Sequence, residues 1–378
     1  MTNKTVNLMS YEDDLAILEE EMKTTKYHKG TEQHFGLMKA RLAKLKVAIA
    51  SKKKAGSGKG FAVKKQGDAT VVMVGFPSVG KSTILTRITS AQSQVAEWEF
   101  TTKEVIPGMM EYEGANIQML DIPGIIGGAS EGKGRGKEII AVVRTADLLL
   151  FVVDVNRTDF LKEMLSELET AGIRIDKKPP EILIKKKMSG GLSISGRPLM
   201  TEQMAKDIAK EFSLLNADIT FRDRATADQF IDFMSGNCTY IPSIIVLNKI
   251  DTVPESRARE IITSLKSMWQ KDLIPISAEK KTNIDFLKYG IYKKLNLIKV
   301  FPTRSNKEKD TGDLTKKEPM ILRRGATIAS VCEKIHRDLK KNFKHALVWG
   351  KSVRFGGQRV GLSHIVADND VITIISRQ

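Results

Sequence analysis

The eight residues Gly75, Phe76, Pro77, Ser78, Val79, Gly80, Lys81 and Ser82 constrain the fold more than any other part of the chain. They match G-x-x-x-x-G-K-[ST] and stand between an apolar run, TVVMV at 70–74, and a helix-forming run, KSTILTRITSA at 81–91. Gly75 and Gly80 let the backbone curl so that successive N–H groups converge on phosphate oxygens, and the start of the helix adds its positive end. In that frame Lys81 reaches the β- and γ-phosphates and Ser82 ligates Mg²⁺, with Thr83 next on the helix. A glycine turn with a surface lysine is the alternative, and it leaves the strand–turn–helix order unexplained. The loop therefore implies a nucleoside triphosphate site on an α/β domain.

The rest of the chain supplies that domain. Apolar runs at 116–121, 148–154, 243–248 and 273–277 alternate with helical segments at 81–91 and 138–146. Continuous apolar strands separated by helices predict a parallel sheet covered on both faces. Ahead of it, Leu15, Leu18 and Met22, then Met38, Leu42, Leu45 and Ile49, recur at three- and four-residue steps. These predict an N-terminal helical hairpin over 1–50, followed by a basic Gly/Lys linker over 51–67. The α/β domain that carries the phosphate loop then spans 68–297. The gap between the strands at 148–154 and 243–248 is too long for one crossover, and its runs EILIKKK, GLSIS and ADITF predict an inserted α+β subdomain over 158–238. After a helix near 282–295, a small mixed β domain fills 298–378. The longest notable apolar run, 148–153, is too short to cross a bilayer, and the N-terminus lacks a secretory pattern. Cys238 and Cys332 lie far apart and the five histidines are scattered, so no zinc site is expected.

Three further motifs follow the phosphate loop in order. Asp121, Ile122, Pro123 and Gly124 form D-x-x-G at a strand end, placing Asp121 on the Mg²⁺ side and the Gly124 amide at the γ-phosphate. Between them, Thr101 or Thr102 is expected to complete the Mg²⁺ shell, and Thr102 is preferred. Asn248, Lys249, Ile250 and Asp251 close another strand. The Asp251 carboxylate can accept two hydrogen bonds from guanine N1–H and the 2-amino group, whereas adenine would leave it unpaired. Asn248 is expected to tie this loop to the phosphate loop, the Lys249 stem to pack on the base, and Ser277 and Ala278 to lie beside guanine O6. The motifs together specify GTP. The glycine-rich stretch at 121–138 then becomes a switch loop, since its glycines permit rearrangement between nucleotide states. Ile125 and Ile126 stand where a Ras-like enzyme has its water-orienting Gln, which predicts slow intrinsic hydrolysis.

The net charge of +16 is concentrated. Residues 22–66 hold thirteen Lys/Arg against the single acid Glu32, a pattern expected of a surface that tracks RNA phosphates. The lysines at 185–187, together with Arg323 and Arg324, are secondary candidates.

GFPSVGKST, EFTT, GANIQMLDIPGII, GRGKEIIAVVRTADL, VLNKID and ALVWG…QRVGLSH resemble the developmentally regulated GTP-binding protein family, Obg-related translation GTPases of archaea and eukaryotes. The resemblance covers essentially the whole chain. It implies an N-terminal helical region, a P-loop GTPase domain with a small insert, and a C-terminal TGS domain of β-grasp form. It also implies GTP/GDP and Mg²⁺ as ligands, with Ser82 and Thr102 on the metal, and a cytoplasmic, monomeric protein tied to ribosomes or RNA. A dedicated protein partner is compatible with this; DNA sequence recognition and membrane insertion are not expected. Gly127 replaces the family's usual acid and Trp98 a usual Tyr. Ser78 stands where some related GTPases hold K⁺ with an Asn. An ATPase of the same superfamily and a ribosome or RNA scaffold with little turnover are the rival readings.

Overall fold

The computed structural model describes residues 3–25, 31–54, 65–89, 106–122, 135–269, 272–303 and 318–377. Two helices come first, α1 (Asn3–Thr24) and α2 (Glu32–Lys54). There follow β1 (Ala69–Val74), α3 (Lys81–Ile88), β2 (Ile106–Tyr112), β3 (Ala115–Asp121), α4 (Arg135–Val143) and β4 (Leu148–Asp154), with the G-x-x-x-x-G-K-S run between β1 and α3 and Asp121 closing β3. Next come α5 (Phe160–Thr170), β5 (Ile173–Ile175), β6 (Ile182–Lys186), β7 (Leu192–Gly196), α6 (Glu202–Glu211), β8 (Ala217–Phe221), α7 (Ala227–Ser235) and β9 (Thr239–Ile241). The chain returns through β10 (Ser243–Asn248), α8 (Glu255–Trp269), β11 (Leu273–Pro275) and α9 (Ile284–Lys294). It ends in β12 (Leu297–Thr303), β13 (Met320–Arg323), α10 (Ile328–Ile335), α11 (Arg337–Lys341), β14 (Phe343–Trp349), β15 (Gln358–Val360) and β16 (Asp370–Ser376). The chain divides into two compact units, one of Met1–Phe61 with Ser166–Ile241, the other of Ala62–Leu165 with Pro242–Gln378.

The larger unit is built on a six-stranded sheet in the order β11-β10-β4-β1-β3-β2. Every neighbour pair is parallel except the β2–β3 hairpin. All residues of β1, β4 and β10 are buried, which is why these strands read as unbroken apolar runs. Strand β2 escapes a reading by propensity because it carries Pro107 and Gly108. The glycine is required there: a Cβ at Gly108 would lie 2.5 Å from Thr89 Cγ2 and 2.9 Å from Leu85 Cδ1, at the end of α3. The sequence β4-β1-β3 reverses direction at β1, and ligands bind beyond the carboxyl ends of strands at such a switch point. The phosphate loop leaves β1 at that end.

The C-terminal part is a mixed sheet in the order β13-β12-β16-β14-β15, with α10 packed on one face through Ile328, Val331 and Cys332. The helical run after Thr327 breaks at His336, whose extended backbone and ring nitrogen cap α11 by accepting from the Asp338 amide. This domain is joined firmly to the nucleotide-binding sheet. Leu297 and Ile321 belong to the same buried cluster as Val71, Met73 and Ile84. Three ion pairs add to it: Arg323–Asp147 (2.6 Å), Lys334–Asp68 (2.6 Å) and Lys299–Glu113 (2.7 Å). Arg323, a candidate RNA contact by sequence, is thus engaged within the protein.

In the smaller unit, β6, β8 and β7 form a three-stranded sheet against α6 and α7, and β5 pairs with β9. Helix α2 has two working faces. Besides packing along α1, it presents Gly36, Ala40 and Ala43 to α6 and α7, with Gly36 against the terminal methyl of Met204. Small side chains allow that approach, and a search for large apolar residues at helical spacing overlooks them. Helix α2 also runs to Lys54, four residues into the segment expected to be linker.

Candidate nucleotide-binding site

The strand–loop–helix turn has the backbone that phosphate binding needs. Ser78 (φ 63°) and Gly80 (φ 93°) adopt left-handed conformations, and Gly80 precedes α3 directly. A Cβ at Gly80 would collide with the Asn248 side-chain amide, so glycine serves both the curl and the close approach of the neighbouring loop. Lys81 is buried (7% exposed) and folds back over the loop, its Nζ donating to the carbonyls of Gly75 and Phe76 at 3.0 Å each. Burial lowers its pKa, while the nearby Asp121 carboxylate acts in the opposite sense.

Asp121 ends β3 beside the loop and is buried (4% exposed). Its Oδ2 accepts from Ser82 Oγ at 2.6 Å, whereas its Oδ1 is buried with no hydrogen-bond partner. A buried carboxylate oxygen without a donor is costly, and a divalent cation beside a serine hydroxyl is a chemically apt partner for it. Ser82 and Asp121 therefore fit a Mg²⁺ ion. Ile122 is buried behind them. Thr101, Thr102, Pro123, Gly124, Ile125, Ile126 and Gly127 lie outside the described residues.

The loop that carries Asn248 and Lys249 is tied to the loop between β1 and α3 by two side chains. Asn248, 2% exposed at the end of β10, donates from Nδ2 to the Val79 carbonyl (2.9 Å), and its Oδ1 accepts from the Ala278 amide (3.1 Å). Lys249, left-handed at φ 64°, donates from Nζ to the Ser78 carbonyl (2.8 Å) and pairs with Asp154 Oδ2 (2.8 Å). The Ala278 amide, expected to face guanine O6, is thus bonded to Asn248 in this structure. Asp251 sits in a single 3-10 turn, Ile250–Thr252, and a hydrogen bond from Ser277 holds its carboxyl below the usual pKa. Ser277 is fully buried and exchanges backbone hydrogen bonds with Thr282 (3.0 and 3.2 Å), fixing the turn that carries Ala278.

Two contributors escaped the motif reading. Asp154 closes the apolar β4 alongside Asn248 of β10, and is the acid that holds Lys249 over the loop. Burial raises its carboxyl pKa, but Lys249 and the Asn156 amide outweigh that and keep it below the usual value. The available signal was a single acid terminating an otherwise apolar strand parallel to the NKID strand. The other is Phe160, which stacks on Phe76 (centroids 4.1 Å apart) and carries the Arg157 guanidinium 4.8 Å above its ring, bracing the first half of the loop.

Comparison with known proteins gives the family to which the chain is similar. Residues 70–187 match the model of a 50S ribosome-binding GTPase, 189–297 the C-terminal region of that domain, and 298–376 the TGS domain. The uncharacterized GTP-binding protein MJ1326 of Methanocaldococcus jannaschii is 46% identical over 375 residues, covering 98% of this chain and 94% of that one. Human developmentally-regulated GTP-binding protein 2 is 40% identical over 371 residues, covering 97% and 99%. Its Dictyostelium discoideum homolog is 42% identical over 366 residues, covering 95% and 98%. With phosphate loop, base loop and TGS domain in place along its whole length, the chain belongs to the developmentally regulated GTP-binding protein family.

Proposed function

We propose that this GTP-binding protein hydrolyses GTP to GDP and phosphate and serves as a Mg²⁺-dependent switch on ribosomes or RNA in the cytoplasm. The observation that carries the reading is the double tie from Asn248 and Lys249 to the carbonyls of Val79 and Ser78. Base selector and phosphate cradle are held as one body, so binding guanine also sets the loop that grips the phosphates.

Each residue then has a task. Gly75, Phe76, Pro77, Ser78, Val79 and Gly80 offer backbone N–H groups, Pro77 excepted, to the phosphates, and Ser82 and Thr83 open the helix. Lys81 exchanges its two carbonyl acceptors for phosphate oxygens and stabilises charge there as transfer proceeds. Asp251 selects guanine, with the Ala278 amide redistributed between Asn248 and the base. Ser82, Asp121 and Thr102 would hold Mg²⁺, which when bound neutralises phosphate charge. Thr102 and the Gly124 amide report the γ-phosphate to the switch loops. With Ile125 in place of a glutamine, the missing group is supplied by a partner or by K⁺, the latter without the Asn ligand that Ser78 replaces.

The test is multiple-turnover GTP hydrolysis in K⁺ and in Na⁺ buffer, each with and without purified ribosomes. Stimulation by ribosomes or by K⁺ identifies the source of the missing group. GTP binding without turnover in every condition would overturn the hydrolytic reading in favour of a scaffold. ATP competing equally with GTP would overturn the guanine assignment.

A further inference from the structure

The basic charge that points to RNA divides into two kinds. Of the thirteen Lys/Arg at 22–66, the six whose side chains are described all pair with an acid. Lys23 meets Glu20, Lys39 meets Asp228, Arg41 and Lys44 meet Glu211, Lys46 meets Glu19, and Lys65 meets Asp147. Lys187 is paired likewise with Asp218 and Arg323 with Asp147, while Lys185, Lys186 and Arg324 form no ion pair with the described residues but have no exposed aromatic ring beside them in the sequence. A lysine paired with an acid must exchange that partner for a phosphate, so it contributes less to counterion release than an unpaired one.

The TGS domain holds the opposite case. Residues 339–367 contain six Lys/Arg and no Asp or Glu; Lys340 and Lys341 pair with Glu333 and Asp338 just ahead of the segment, and the cations beyond them pair with no acid among the described residues. Lys351, Arg354 and Arg359, on the β14–β15 loop and edge strand β15, are exposed and form no ion pair with the described residues. Phe355 stands among them with 65% of its surface exposed, and Ile365 on the adjoining turn with 59%. The surrounding framework is fixed. Fully buried Asp370 accepts from the Ser352 and Ala367 amides (3.4 and 2.7 Å), Ser352 Oγ meets His364 Nε2 at 3.0 Å, and the Arg354 amide donates to Gln358 Oε1 (2.9 Å). A cationic loop with an exposed aromatic ring, ordered in advance from beneath, loses little entropy on binding. After burial, the charges of Arg359 and Lys344 are what depress the pKa of neighbouring His345, as expected of a surface with uncompensated positive potential.

We infer that this edge of the TGS sheet is an RNA-binding surface for single-stranded segments, with Lys351, Arg354 and Arg359 on backbone phosphates and Phe355 under an unstacked base. Single strands are favoured because an exposed ring among cations offers stacking plus phosphate contact, the combination such strands require. The inference rests on the reading that RNA is among this protein's partners.

The experiment uses the full chain and a fluorescently labelled, unstructured RNA 20-mer of mixed sequence, with anisotropy followed across a salt titration. The K351A/R354A/R359A variant is expected to bind about tenfold or more weakly at low salt, and its salt slope to fall by about 2. Phe355→Ala is expected to weaken binding about tenfold with an unchanged slope. Arg41→Ala with Lys44→Ala, on α2, is expected to change neither, and all variants should bind GTP as the wild type does. Wild-type binding that survives the TGS substitutions, or that is lost with the α2 pair instead, overturns the surface assignment while leaving RNA as a partner. A wild-type chain that binds no RNA overturns the reading itself.

Discussion

At the scale of single residues, the site depends on a few side chains that serve two loops at once. Asp251→Asn removes the acceptor pair for guanine N1–H and the 2-amino group, so GTP affinity should fall by about 10- to 100-fold while xanthosine triphosphate gains. Competition binding with the two nucleotides measures it directly, and undiminished preference for GTP would remove Asp251 from the base site. Asp154→Ala tests the hidden member of the constellation. Without it Lys249 keeps the Ser78 carbonyl but loses its charge partner, and GTP affinity should drop about tenfold, with the phosphate loop less protected in amide hydrogen exchange. An affinity equal to wild type would mean the Asp154–Lys249 pair is not part of the nucleotide site. The placement of the G-x-x-x-x-G-K-S and NKID runs at the ends of β1 and β10 was legible in the sequence because each is a short run with its own spacing after an apolar strand. Asp154 was not, since its meaning depends on β4 and β10 lying side by side, which no local pattern records.

At the scale of elements, glycines decide how closely helices approach. Gly108→Val would drive a branched side chain into Leu85 and Thr89 of the α3 end, and overpacking of this kind costs about 1–3 kcal/mol. Urea unfolding should show a lower midpoint for Gly108→Val with an unchanged slope. Because α3 begins at Lys81, the lysine proposed to bind phosphate, GTP affinity should fall as well, and stability lost without any change in affinity would show that α3 shifts independently of the loop. The parallel strands could be read from their apolar runs. Strand β2 could not, because its proline and glycine lower strand propensity and its pairing with β3 compensates across the hairpin. Likewise α2 was recognised by its large apolar stripe, while the Gly36, Ala40 and Ala43 face that meets α6 and α7 carries no periodic signal of bulk.

At the scale of the molecule, charge balance is the lesson the sequence could not give. Clustered lysines in a linear count become internal ion pairs once acids up to 189 residues away are brought beside them, as Lys39 and Asp228 show. Asp147 is the nodal case, bonding the Thr70 amide (2.9 Å), Lys65 and Arg323 together. Burial raises its pKa, but the Thr70 amide, Lys65 and Arg323 outweigh burial and hold it below the usual carboxylate value. A depressed folded-state pKa contributes stability above the unfolded value, about 3.9, and that contribution is lost as pH falls through the folded value. Asp147→Asn should therefore lower the melting temperature at pH 7, by an amount equivalent to about 1–2 kcal/mol given that Arg323 is largely exposed. The gap between variant and wild type should close as the pH is taken below about 4. A gap that stays constant with pH would mean the carboxylate's charge contributes nothing there.

The shared cluster of Leu297 and Ile321 with the nucleotide-binding core has a practical consequence for dissecting this protein. A fragment cut after α9 would strip that core of part of its cover, and would leave Asp147, Asp68 and Glu113 without Arg323, Lys334 and Lys299. Such a fragment would expose apolar surface that the full chain covers and carry acids that have lost their cations. Turnover measured on it would describe a damaged protein, so an effect of removing the TGS domain cannot be equated with the loss of whatever that domain binds. Point substitutions on the outer edge, which leave the shared cluster intact, separate the two.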